Sequence, residues 1–271
     1  MTIAFSKLQA AGNAYLVVDG RDASRDWSAL ALAMGDPHTG VGSDGLAVVE
    51  PSEHAHVRMR IFNTDGSEAE MSGNGIRLFA KHVLDRGLVR LAGGPLRVET
   101  AGGVRDVYPI HEAGPGSPLR AARVAMGVPI FESSRITVVA EGLGAQEAVQ
   151  DLPLDLGDRQ IVVTCLSVGN PHAVALLDEP VATFPLAEIG PRVQRHPWFP
   201  NRINFEIVER VSEGAIRARV FERGEGETQA SGTGSTAAAV AARLHGWVGD
   251  RVEVRLPGGA LTIEWDGRGE A

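Results

Sequence analysis

The chain has 271 residues, of which 44% are hydrophobic and 22% charged; this composition excludes a disordered or fibrous protein and fits one large or two small domains. Its 34 acidic and 26 basic side chains give a net charge of −8, so we expect neither a nucleic-acid partner nor a membrane partner, and a small molecule is the favoured ligand. The N-terminus lacks a secretory signal, and the longest uncharged run, residues 160–177, contains a Gly-Asn-Pro-His turn that argues against a membrane span. The single cysteine, Cys165, excludes an internal disulfide, so we expect a cytoplasmic protein.

Hydrophobic periodicity predicts many short strands and two helices. The strands are expected, in chain order, at residues 15–18, 46–50, 58–62, 96–100, 105–108, 122–126, 160–164, 173–177, 203–209, 217–221 and 252–256. Helix-forming runs occupy residues 76–86 and 235–245, and each ends at a glycine, Gly87 or Gly246. Residues 237–242 of the second run are almost entirely apolar, which predicts a helix wrapped on all sides by sheet. The fold class expected is α+β.

The chain contains an internal repeat. Residues 58–87 align without a gap with residues 217–246, at an offset of 159, and nine of the 30 positions are identical. A second echo, Gly-Asn before an apolar run, occurs at Asn13 and again at Asn170. The Gly/Pro-rich segment HEAGPGSPLR, residues 111–120, has the composition of a linker and lies between the two copies. We therefore predict two pseudo-symmetric domains, residues 1–118 and 119–271.

The repeat places a serine, Ser72 or Ser231, at the start of each predicted helix, before Gly-x-Gly. Two halves related by a pseudo-two-fold axis would bring these serines together across a cleft, where the backbone N–H groups of the helix N-termini could hold a carboxylate. Polar loop side chains could fix the rest of a zwitterionic substrate. These are Asn13, Asn63, Asn170, Asn204, Glu222 and Arg223. The alternative is that the serines are only helix caps and the asparagines only turn residues.

Several segments, in this order and spacing, resemble diaminopimelate epimerases of the cofactor-independent amino-acid racemase superfamily. They are GNAYLVVDG, GVGSDGLAVVEPSE, MRIFNTDGSEAEMSGNGIR, VGNPHAV, FPNRINFEIV and FERGEGETQASGTGSTAAA. The resemblance runs from about residue 5 to residue 265. It implies two domains, each a mixed sheet wrapped around a central helix, an active site in the cleft between them, and epimerisation of LL- to meso-diaminopimelate for lysine and peptidoglycan precursor biosynthesis.

In that family two cysteines, one in each half, remove and return the α-proton on opposite faces of the substrate without pyridoxal phosphate or metal. The positions that match these cysteines here are Ser72 and Ser231. The histidine beside the catalytic pair corresponds to His172, and Glu222 is the other candidate catalytic group. The implied substrate-binding residues are Asn13, Asn63, Gly73, Asn74, Asn170, Asn204, Glu222, Arg223, Gly232 and Thr233.

Serine at both positions changes the chemistry. A thiol has a pKa near 8.5, whereas an aliphatic hydroxyl ionises close to water, with a pKa of about 15.7, so a helix N-terminus cannot make it a base at neutral pH. A neighbour, His172 or Glu222, would have to accept the serine proton. Three explanations stay open: a natural member that uses serine, a member that has lost racemase activity, and two engineered Cys→Ser changes.

Two other departures from the family favour natural divergence. Residues 14–15 are Ala-Tyr where the family usually has Asp-Phe, and the chain ends at WDGRGEA, before the family's final strand, so domain closure is expected to differ.

Other classes of function fit the sequence less well. The glycine pattern of dinucleotide binding occurs at residues 40–45 and 232–237, but neither copy lies between a buried strand and a helix. His54 and His56 form the one close histidine pair, without a third ligand, so we expect no metal, and the resemblance implies that no cofactor is needed. The stronger alternative is a relative that binds an amino acid without turnover or catalyses another isomerisation. A homodimer is left open.

Overall fold

The computed structural model describes residues 2–114 and 117–271, which divide after residue 125 into two compact units. Each unit is one curled sheet with a few helices, so the α+β class and the sheet-around-helix architecture expected from the sequence are confirmed. Among the described residues, no helix is both long and apolar enough to cross a membrane.

In its described residues, the first unit contains eight strands and two helices. The strands are β1 (Ser6–Ala10), β2 (Asn13–Asp19), β3 (Gly45–Glu50), β4 (Val57–Asn63), β5 (Glu68–Ala69), β6 (Leu96–Thr100), β7 (Gly103–His111) and β8 (Leu119–Val124). The helices are α1 (Trp27–Gly35) and α2 (Gly73–Asp85). The sheet order is β1-β2-β3-β4-β6-β7-β8, with β5 paired to β4.

The second unit contains eight strands and three helices. The strands are β9 (Leu152–Asp155), β10 (Gln160–Ser167), β11 (Pro171–Leu177), β12 (Asn204–Ser212), β13 (Ala215–Glu222), β14 (Gly226–Thr228), β15 (Arg251–Leu256) and β16 (Gly259–Glu264). The helices are α3 (Ser133–Ile136), α4 (Leu186–Gln194) and α5 (Gly232–Leu244). The sheet order is β16-β15-β13-β12-β11-β10-β9, with β14 paired to β13.

Six strand pairings of the first sheet recur in the second in the same sequence order. The pairs β1·β2, β3·β4, β4·β5 and β6·β7 are antiparallel, as are their counterparts β10·β11, β12·β13, β13·β14 and β15·β16. The pairs β2·β3 and β4·β6 are parallel, as are β11·β12 and β13·β15. The repeat therefore comprises seven strands and the inner helix of each unit, and β8 and β9 lie outside it.

A helix with a buried apolar surface lies inside each sheet. Helix α2 packs against β1, β2, β3, β4, β7 and β8, and α5 packs against β10, β11, β12, β13, β15 and β16. All residues of α5 from Gly232 to Ala242 are buried, as the alanine-rich sequence predicts, because a helix segment without a polar face is buried on all sides. The opposite face of the second sheet packs against α4 and contains Cys165, whose thiol is fully buried and has a pKa well above its usual value because of desolvation.

The segment predicted as a linker, residues 111–120, begins in β7 and ends in β8, and its residues Pro115 and Gly116 lie outside the described residues. Strand β8 begins at Leu119 and pairs with β7, so residues 119–125 belong with the first unit. The sequence-based boundary after residue 118 thus precedes the division that the packing indicates.

Candidate active site

In the first unit Ser72 caps α2. Its Oγ accepts a hydrogen bond from the Gly75 N–H at 3.0 Å, and the Tyr15 hydroxyl donates a second one at 3.3 Å. An N-cap side chain satisfies one of the amide groups that cannot bond within the helix, and the helix dipole places partial positive charge there. The first turn therefore presents Ser72, Gly73 and Asn74 at a positive helix end.

Tyr15 reaches Ser72 because Gly45 leaves room for its ring. Tyr15 is only 4% exposed, and a Cβ atom at Gly45 would lie 2.7 Å from the ring atom Cε1 of Tyr15 and 2.9 Å from the backbone oxygen of Phe62. Residues 15 and 45 are paired across the parallel strands β2 and β3. The tyrosine at residue 15 and the glycine at residue 45 thus form one packing unit.

We expect Gly45→Ala to destabilise the protein by about 1–3 kcal/mol, because the added methyl group overlaps the Tyr15 ring and backbone that cannot move away. Denaturant unfolding measures the change. Gly249→Ala is the matched control, since a Cβ there meets nothing within 4 Å. Equal midpoints for the two variants would contradict the close packing of Tyr15 against residue 45.

The predicted substrate-binding residues Asn13 and Asn63 lie at one edge of the first sheet. The Nδ2 of Asn13 and the backbone N–H of Ala14 both donate to Oδ2 of Asp44, at 3.1 and 2.6 Å. Asn63, the last residue of β4, is paired with Gly45 and donates from Nδ2 to Ser67 at 3.0 Å. Asp44, which sequence reasoning missed, therefore orients the strand that begins at Asn13.

Asn74 is buried, and its Oδ1 accepts a hydrogen bond from the Arg77 guanidinium one turn further along α2. Desolvation lowers the pKa of Arg77. The hydrophobic periodicity of the sequence alone does not predict a buried arginine on the inner helix. The Arg77 side chain fixes the orientation of the Asn74 amide.

In the second unit Ser231 caps α5 in the same way and is 3% exposed. Its Oγ accepts from the Gly234 N–H at 3.1 Å, and its hydroxyl interacts with the carboxyl group of Glu222, the last residue of β13. Burial raises the pKa of Glu222, and the Ser231 hydroxyl and His172 oppose this shift by favouring the carboxylate. The Glu222 carboxyl group therefore lies near the serine that needs a proton acceptor.

His172 reaches Ser231 only through other side chains. Its Nδ1 lies 2.7 Å from Oε1 of Glu206, and its Nε2 lies 2.8 Å from Oδ1 of Asn170. The Asn170 Nδ2 donates to the Thr233 hydroxyl at 3.4 Å, and that hydroxyl lies 3.5 Å from Oγ of Ser231. We call this chain from Glu206 to Ser231 the buried polar chain.

Glu206 anchors the buried polar chain and was missed by sequence reasoning. Glu206 and His172 are both 0% exposed, and a Cβ at Gly234 would lie 2.9 Å from Oε1 of Glu206, so a larger residue in the first turn of α5 would displace the carboxyl group. Its second oxygen, Oε2, has no hydrogen-bond partner among the described residues. Burial raises the pKa of Glu206, and the interaction with His172 opposes that shift. A charged residue inside the apolar strand sequence NFEIV was the available signal.

Glu206→Gln should change how stability depends on pH. Because the pKa of Glu206 is raised above its ordinary value of 4.5, the folded chain retains a proton that the unfolded chain releases as pH rises. The stability that comes from this group is present below the unfolded pKa and is lost as pH rises through the folded pKa. We therefore expect wild-type stability to fall, relative to Glu206→Gln, from acid pH towards neutrality in denaturant unfolding at several pH values. Parallel pH curves for the two proteins would contradict a raised pKa.

The remaining predicted residues of this half meet at the start of β12. Asn204 is buried, and its Oδ1 accepts from the Arg223 backbone N–H at 2.8 Å. The Arg223 side chain donates to the backbone oxygen of Asn201 at 3.2 Å. His172 and Asn204 are directly paired across β11 and β12. Because Arg223 is bonded to Asn204, it lies at the same ends of these strands as His172 of the buried polar chain.

In the second half Asn170 and Glu222 interact with Thr233 and Ser231 at the start of α5, whereas in the first half Asn13 and Asn63 are bonded to Asp44 and Ser67. The expected cleft between the halves stays a prediction, as do the roles of the individual residues. Within residues 2–114 and 117–271 no group of three or more histidine, cysteine, aspartate or glutamate side chains could hold a metal ion.

Solved structures of amino-acid racemases and epimerases share this duplicated fold. One is a hydroxyproline epimerase from Agrobacterium vitis with bound trans-4-hydroxy-L-proline, with a TM-score of 0.68 and 17% identity; the likeness covers 98% of this chain and 86% of that one. Another is a probable proline racemase from Agrobacterium radiobacter K84, with a TM-score of 0.67 and 17% identity, covering 99% and 88% of the two chains. The chain therefore shares its fold with these two proteins.

Sequence comparison identifies the family. The family model for diaminopimelate epimerase matches residues 5–131 and 164–271. A diaminopimelate epimerase from Desulfovibrio desulfuricans is 43% identical over 269 residues, covering 98% of this chain and 92% of the relative. One from Acetivibrio thermocellus is 41% identical over 263 residues, covering 97% and 90%. The chain belongs to the diaminopimelate epimerase family.

Proposed function

We propose that this chain epimerises LL-diaminopimelate to meso-diaminopimelate without a cofactor, by removing the α-proton on one face and returning a proton on the other. The observation that carries the proposal is the placement of Ser72 and Ser231 as the caps of α2 and α5, and the Ser231 hydroxyl also interacts with the Glu222 carboxyl group. Family membership supports the substrate. The serine hydroxyls take the places that the resemblance gives to the two catalytic cysteines.

Glu222 is the group that makes Ser231 usable as a base. A carboxylate in contact with the hydroxyl can accept the serine proton while the serine oxygen removes the proton from the α-carbon. The pKa of Glu222 is raised, which brings the carboxyl group closer to the acidity suited to proton transfer near neutral pH. His172 is less suited to this role, because both of its ring nitrogens already contact Glu206 and Asn170. We therefore assign the base function to Ser231 with Glu222, and a positioning function to His172.

Substrate carboxylate binding is assigned to the helix N-termini. The backbone N–H groups of Gly73, Asn74, Gly232 and Thr233 lie in the first turns of α2 and α5, ahead of the residues whose amides complete the first intrahelical bonds. The positive end of each helix dipole also stabilises the negative charge that develops when the α-proton leaves. The polar side chains at the sheet edges, such as Asn13, Asn63, Asn204 and Arg223, are assigned to the rest of this dibasic, diacidic amino acid.

Exchange of the α-proton tests the proposal. The unaltered chain is incubated in deuterated water with LL- or meso-diaminopimelate and with a panel of other amino acids, and NMR follows loss of the α-proton while chiral chromatography follows inversion. We expect exchange with inversion on diaminopimelate. Binding without exchange indicates an intact pocket with disabled chemistry, and exchange on another amino acid indicates a different isomerase; either result would overturn the proposal.

A further inference from the structure

The two serines are hydrogen-bonded differently. A serine hydroxyl has one donor hydrogen and two acceptor lone pairs. The Oγ of Ser72 accepts from the Gly75 N–H and from the Tyr15 hydroxyl, so both acceptor positions are filled and what the hydroxyl can still do is donate its hydrogen. Ser231 instead accepts from the Gly234 N–H and interacts with a carboxyl group. The hydrogen bonds of Ser72 therefore suit a group that gives a proton to the substrate. Those of Ser231 suit a group that removes a proton from the substrate.

The repeat places Tyr15 at the position that His172 occupies in the second half. The offset of 157 residues that relates Asn13 to Asn170 also relates Tyr15 to His172, and both residues lie near the start of corresponding strands, β2 and β11. His172 is joined to its serine through two intervening side chains, whereas the Tyr15 hydroxyl contacts its serine directly. The two halves have thus filled one position with different chemistry.

We propose that Tyr15 is the proton source behind Ser72, acting through the serine as a positioning residue in the epimerisation proposed above, on which this inference rests. Tyr15 is buried and is held over Gly45, so its hydroxyl is fixed towards Ser72. A phenol, with an ordinary pKa of about 10, gives up a proton far more readily than an alcohol does. Tyr15 therefore supplies at Ser72 the acidity that a thiol would supply by itself.

Protonation of the substrate on the Ser72 side consists of two linked proton transfers. The Ser72 hydroxyl hydrogen moves to the substrate carbanion and forms the new carbon–hydrogen bond, while the Tyr15 phenol hydrogen moves to the Ser72 oxygen. Ser72 ends as a neutral hydroxyl and Tyr15 as a phenolate. The Tyr15 phenolate regains a proton from water, or from Ser72 when the opposite stereoisomer reacts in the reverse direction. No oxidant, metal or cofactor takes part.

A double-mutant cycle at Tyr15 and Ser72 tests the inference. We expect Tyr15→Phe to lower kcat by about 100-fold with little change in KM, because general acid catalysis contributes roughly 10²–10⁴-fold. In the Ser72→Cys background the same Tyr15→Phe change should alter kcat by less than about threefold, because a thiol ionises without help. Tyr108→Phe is the matched control: Tyr108 is the other tyrosine of the chain, is 37% exposed, and should leave kcat unchanged.

A spectroscopic measurement separates this role from simple packing. Because the chain has two tyrosines, incorporation of 3-fluorotyrosine into Tyr108→Phe labels Tyr15 alone. Its fluorine NMR signal should move on Ser72→Ala, which removes the hydrogen-bond acceptor, and should stay in place on Ser212→Ala, which changes an exposed serine of the second unit.

The outcomes are distinguishable. Suppose that the wild type is active. The role of Tyr15 is overturned, and the proposed function stands, if Tyr15→Phe keeps full activity or loses equally in the serine and cysteine backgrounds. A fluorine signal that does not move on Ser72→Ala has the same consequence. A wild type that fails to exchange the α-proton of diaminopimelate removes both.

Discussion

Ser72→Cys combined with Ser231→Cys is expected to raise the epimerisation rate on diaminopimelate by about 10³-fold, because each thiol ionises far more readily than the hydroxyl that it replaces. The position favours the change, since both side chains cap a helix N-terminus, where partial positive charge lowers a thiol pKa further. Each single variant should gain less than the double variant, because the remaining serine still limits one of the two proton transfers. Initial rates of interconversion of LL- and meso-isomers measure the gain.

The control for this experiment is Ser212→Cys, which adds a thiol at an exposed residue and should leave the rate unchanged. A stability cost is also expected, because sulfur is a weaker hydrogen-bond acceptor and a lost N-cap costs about 0.5–2 kcal/mol. Folding is therefore checked by circular dichroism before rates are compared. A well-folded double variant that is no faster than the wild type would show that these residues are not the acid and base.

Glu222→Gln is expected to lower kcat by about 10²–10⁴-fold in the serine enzyme, because Ser231 then has no carboxylate to accept its proton. The substitution keeps the size of the side chain and its capacity to contact the serine hydroxyl, so a loss of rate reports on proton transfer. Steady-state rates across pH provide the measurement. The limb of the wild-type profile that requires the carboxylate, at a pKa above the ordinary value of 4.5, should be missing in the variant.

Glu213→Gln, at an exposed position, removes the same charge away from α5 and should retain wild-type rates. A second comparison uses Ser231→Cys, in which the thiolate no longer needs Glu222, so Glu222→Gln should cost much less there. Equal losses in the serine and cysteine backgrounds would assign Glu222 to substrate binding instead of proton transfer.

The repeated strands and inner helices of the molecule could be predicted from the sequence because they follow from local patterns of apolar residues and helix-end signals. Alternation of apolar residues identified strands such as β4 and β13, and the helix signals after Ser72 and Ser231 placed both helix caps. The buried character of α5 followed from its alanines. Helices α1 and α4 were missed: α1 has a run of apolar residues without a polar face, and α4 contains Pro191, which usually indicates a helix end.

The contacts within the site could not be predicted in the same way, because they join residues far apart in the chain. Glu206 is a charged residue in an apolar strand, but only the pairing of β11 with β12 shows that it lies beside His172. The bond from Tyr15 to Ser72 depends on the empty space at Gly45, which only the packing of three strands reveals. The choice between His172 and Glu222 as the partner of Ser231 likewise needed the side-chain positions.

Because Cys165 is fully buried, the wild-type protein is a negative control for thiol labelling. Its thiol is 0% exposed and ionises only well above the usual pKa, so alkylating reagents should not modify the native chain at neutral pH. A cysteine introduced at the partly exposed position 72 would then be the one reactive thiol, and the dependence of its alkylation rate on pH would report its ionisation directly. The acidity that the helix N-terminus confers could thus be read by mass spectrometry before any substrate is added.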